Sequence, residues 1–63
     1  MSRAELWQLI MIDQEIDFRK LLLKYSALLV DICPAIKEWL AKMDSGEIMV
    51  WEAWEKVIEA LVA

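Results

Sequence analysis

Residues 7–43, WQLIMIDQEIDFRKLLLKYSALLVDICPAIKEWLAKM, carry the pattern that decides the fold. At about 100° per residue, Trp7, Met11, Phe18, Leu22, Tyr25, Leu29, Ile32, Ile36, Leu40 and Met43 lie within about 40° of one line along a helix. No Gly or Pro interrupts residues 3–33. Ser2-Arg3-Ala4-Glu5 reads as a capping box, in which Ser2 accepts from the Glu5 backbone and Glu5 reaches back. The spacing predicts one long first helix, over about residues 3–31.

A second apolar stripe runs along that helix, roughly 120–180° away. It consists of Leu9, Ile12, Ile16, Leu23, Ala27 and Val30. A helix greasy on two sides wants a neighbour on each. One can come from the same chain, and the other is expected from a second chain. Charge is confined to narrow strips between the stripes, with Asp13, Asp17, Lys20, Lys24 and Asp31 in one. Asp13 and Asp17 are expected to be solvated members of that strip, because paired carboxylates do acid–base work only when one is desolvated.

Pro34 ends or kinks the pattern, since it lacks an N–H and drives Cys33 out of the helical region. The apolar phase nevertheless continues through Ile36, Trp39, Leu40 and Met43. A kinked continuous helix and a short break therefore fit equally well. A segment over about 34–43 follows either way. Asp44-Ser45-Gly46-Glu47 is the clear turn and holds the only glycine. Asp44 or Ser45 is expected to cap the last helix, over about 46–62. That helix should bury Val50, Trp54, Val57, Ile58 and Leu61, and present Glu52, Glu55 and Glu59 outward. Ile48 and Met49 fall off this stripe.

The expectation is an all-α fold, one domain over 1–63, arranged as a helical hairpin of three helical segments that assembles into an oligomeric bundle. Composition supports the assembly. Of 63 residues, 60% are hydrophobic and four are Trp. A chain this short hides only about 60% of the surface it exposes when unfolded. The usual staples are missing, since one Cys makes no internal disulfide and there is no His. A homo-oligomer follows, with a dimer as first choice. The expected interface residues are Leu9, Ile12, Ile16, Leu23, Val30, Trp39, Trp51 and Trp54. Trp39, Trp51 and Trp54 flank the turn and are expected to meet across it, as core or as recognition anchors.

Function is read mostly by exclusion. The net charge of −4 opposes nucleic-acid binding. Residues 21–33 are apolar but broken by Lys24 and Asp31, too short to span a bilayer. No secretory leader is expected before Asp13, and the lone Cys suits a reducing, cytoplasmic setting. Cys33 has no His to activate it. Lys24 is expected to snorkel to water rather than act as an amine catalyst. No catalytic, cofactor-binding or metal-binding residue is expected, and the chain is read as no enzyme.

The reading is a small interaction or regulatory protein that self-associates and buries an apolar, Trp-containing face against a protein partner. The alternative is an amphipathic membrane-surface helix, which the acidic balance opposes. A designed helical assembly would share the same features, though regular surface Glu/Lys repeats are missing.

Overall fold

The computed structural model describes residues 1–62. Helix α1 spans Arg3–Ile12, α2 Phe18–Lys24, α3 Ser26–Ile32, α4 Ile36–Ser45 and α5 Val50–Leu61. No strand occurs among the described residues. The all-α class therefore holds. The single helix over 3–31 does not: it is three helices, and each break has a local cause.

Helix α1 starts as expected, with Ser2 Oγ accepting the Glu5 N–H at 3.1 Å. It stops at Asp13, where three carboxylates in succession take backbone donors away from the helical ladder. Asp13 accepts the Glu15 N–H at 2.9 Å, and Glu15 accepts the Asp17 N–H at 3.1 Å. Asp17 then accepts from Arg19 and Lys20 at 3.0 and 3.3 Å, capping α2. Short acidic side chains offer the backbone this alternative to a helix without any Gly or Pro.

The second break is a bend at Tyr25, whose φ and ψ are −99° and 8°. Ser26 Oγ donates to the Leu23 carbonyl at 2.8 Å beside it. The Tyr25 hydroxyl donates to Asp13 Oδ2 at 2.6 Å, tying the bend to the end of α1.

At Pro34 the chain breaks rather than kinks. Cys33 is extended, with φ −136° and ψ 90°, as a residue before proline should be. Two turn residues follow and α4 begins at Ile36, not at Pro34. Gly46 ends α4 in the left-handed region, with φ 83°. Its N–H bonds the Met43 carbonyl at 3.1 Å, and the Glu47 N–H bonds Lys42 at 2.9 Å, a Schellman closure. Ser45 thus belongs to α4, and Asp44 instead receives Arg19. The start of α5 is supported by Glu52, which accepts the Met49 N–H at 3.5 Å. Ile48 is folded back onto the core.

The core draws on all five helices. Leu6 and Ile10 come from α1, Leu21 and Leu22 from α2, and Leu29 from α3; α4 adds Ile36, Leu40 and Met43, and α5 adds Ala53, Val57 and Leu61. Each fully buried Leu side chain contributes about 1.5–3 kcal/mol. Helix α5 packs on α4, α1 and α2, while α3 packs on α4, α1 and α2. The molecule measures 29 × 25 × 19 Å.

The buried face of α5 is rotated from the expected one. Ala53 is fully enclosed, whereas Ile58 is exposed. The small Ala53 side chain lets neighbouring helices close on that line. The rotation turns Trp51 and Ile58 outward, which matters for the site.

Candidate functional site

Because α1 stops at Ile12 and the chain detours through residues 13–17, α1 and α2 do not close over the start of α5. The gap is an apolar groove of about 630 Å³. Buried Ile10 and Leu21 reach its floor. Met11, Phe18, Met49, Trp51, Trp54 and Ile58 complete its lining. Phe18 stands edge-on to Trp54, with ring centroids 5.8 Å apart at 82°. Met11, Phe18, Met49 and Trp51 are 59–62% exposed. Single exposed apolar residues are ordinary, but a contiguous set around a concavity marks an interaction site. Met11 and Met49 give the lining side chains that re-pack easily.

One atom in the groove is out of place. Trp54 Nε1 is buried with no acceptor among the described residues. A buried donor without a partner is costly, so its retention needs a reason.

Asp13 and Glu15 form the polar edge. The Asp13 side chain is only 9% exposed, so it is not the solvated strip member expected. Lys24 Nζ lies 2.7 Å from its Oδ2, and the Tyr25 hydroxyl 2.6 Å. These bonds, with the Glu15 N–H, hold its carboxyl well down, from 3.8 to about 2, against the opposing effect of desolvation. The same contact raises the pKa of Lys24 and that of Tyr25 above their ordinary values. At neutral pH the cluster is a carboxylate, an ammonium and a neutral phenol. It fixes the edge of the groove and has no proton poised for transfer.

The expected interface residues are divided. Trp51 and Trp54 meet in the groove. Trp39 does not join them: it lies across α4 between two cations, Lys42 Nζ at 5.1 Å and Lys56 Nζ at 4.7 Å from its ring. Val30 packs on the core and Leu9 is half-buried. Ile12 and Ile16 are 74% and 90% exposed beside the groove's acidic edge, and Leu23 is exposed at 37%.

The sequence reading missed Met11, Phe18, Met49 and Ile58 as groove residues. Met49 carried a signal, since it fell off the α5 stripe. Met11 and Phe18 carried none, because both sat in phase with the expected core.

Among the described residues no group of three His, Cys, Asp or Glu is placed to hold a metal ion. No helix among the described residues is long and apolar enough to cross a membrane. No known protein family, curated protein or solved structure matches the chain.

Proposed function

We propose that this chain is a small interaction module that seats the apolar face of a helix from a protein partner. The observation that carries the reading is the groove: four large apolar side chains about three-fifths exposed around a concavity with a buried floor. A partner strand has no sheet edge to extend among the described residues, and the open, methionine-containing apolar lining suits helix-in-groove docking. The reading is non-enzymatic. Asp13, whose side chain is shielded at the groove's edge, is held ionised by Lys24, the opposite of a general acid at neutral pH.

Self-association is the second reading, favoured by Ile12 and Ile16, which stand almost bare next to the groove. Two copies related by a two-fold axis would place these knobs in each other's grooves.

The test is a titration, followed by tryptophan fluorescence, with a 14-residue amphipathic peptide of Leu and Gln at helical spacing. Saturable binding is expected, weakened at least about tenfold by the double change Trp51→Ala and Ile58→Ala with helicity unchanged. Absence of binding, or equal binding by the variant, overturns the docking reading. Light scattering across a concentration range decides self-association.

A further inference from the structure

The charges around the groove are one-sided, and this bears on what enters it. Four ion pairs form among the described side chains: Arg19–Asp44, Lys24–Asp13, Lys42–Glu38 and Lys56–Glu59. They engage four of the seven cations and four of the eleven anions, leaving three against seven. No Lys or Arg lines the groove, whereas Glu15 does. Glu55 lies one helical turn beyond Trp51, about 40° from it around α5. Neither Glu15 nor Glu55 is within ion-pair distance of a base among the described residues. The trough's edge thus carries the Glu15 carboxylate, whose neighbouring base Lys24 is already taken up by Asp13, and Glu55 stands one turn along α5 from the Trp51 lining.

We infer that the occupant is a basic amphipathic helix, whose apolar face fills the trough between Met11, Phe18, Trp51 and Trp54 while Lys or Arg on its flanks meet Glu15 and Glu55. The inference rests on the docking reading above and adds the partner's charge. A second copy is the poorer occupant: its own groove is flanked by the same carboxylates and each chain carries −4, so dimerisation would bring like charges together. Rim charges of this kind set partner choice and on-rate more than final affinity. The exposed pairs formed should each give a factor of about five or less.

Three versions of the 14-residue Leu peptide separate the possibilities, with Lys, Gln or Glu at every polar position. At low salt the Lys peptide should bind about tenfold tighter than the Gln peptide, and the Glu peptide more weakly than either. The advantage should vanish in about 1 M NaCl, where charges more than about 3 Å apart are screened. In the double variant Glu15→Gln, Glu55→Gln, the ratio of Lys-peptide to Gln-peptide affinity should fall most of the way to one. If the Gln and Lys peptides bind alike at low salt, the basic-partner inference falls and the docking reading stands. If no peptide binds, both fall. A stable dimer that the Lys peptide cannot compete apart overturns the inference in favour of a second copy.

Discussion

At Asp13 three donors converge on one carboxylate: an ammonium, a phenol and a backbone N–H. Folding lowers its pKa, so the ionised form is the stabilised one. Its contribution is complete above about pH 5 and fades as the pH falls toward about 2. Asp13→Asn should therefore lower Tm at pH 7 and flatten the loss of Tm between about pH 5 and 2, as read by circular dichroism. Lys24 and Tyr25 are raised, so their share is present below their ordinary values and is lost as pH climbs past about 10. Gly46 gives a cleaner case. A Cβ there would meet nothing within 4 Å, so Gly46→Ala should lose only backbone energy, about 1 kcal/mol at φ 83°. Tm should fall by about 4–8 °C.

At the scale of elements, the periodicity of residues 7–43 identified helix correctly and its continuity wrongly. The interruption at Pro34 and the turn at Gly46 were readable because each rests on a residue with a hard backbone constraint, though at Pro34 a kink fitted as well as the break that the structure has. The detour through residues 13–17 was not. It rests on Asp13, Glu15 and Asp17 capturing N–H groups, a competition that residue spacing does not register. Met11 and Phe18 are seven residues apart, so they keep helical phase across a stretch that is not helical. That hid the groove, because both were assigned to the core. Trp51 and Trp54, expected as core or as anchors, both line the groove, while Trp39 of α4 lies apart from them, against Lys42 and against Lys56 of α5. Asp17→Ala tests the capping account: α2 should lose about 1 kcal/mol, read as faster amide exchange at Leu21 and Leu22 with α4 unaffected.

For the whole molecule, five short helices share a core of eleven buried apolar residues. A chain of this size is stabilised by roughly 3–9 kcal/mol in total. Leu22, 1% exposed, sits where α2 meets its neighbours. Leu22→Ala should cost about 2–5 kcal/mol, enough to move the urea midpoint most of the way to zero or abolish cooperative unfolding. The same thin margin means that anything filling the groove should raise Tm by an amount that grows with the logarithm of its concentration over its Kd, so thermal shift doubles as a ligand screen.

The orphan indole N–H of Trp54 carries that thought further. A phenylalanine there would keep an aromatic ring beside Phe18 and delete the unanswered donor, which offsets the packing lost with the larger ring, so Trp54→Phe should melt close to the parent. The indole is the first atom group to watch when a visitor arrives, by the shift of its own proton resonance.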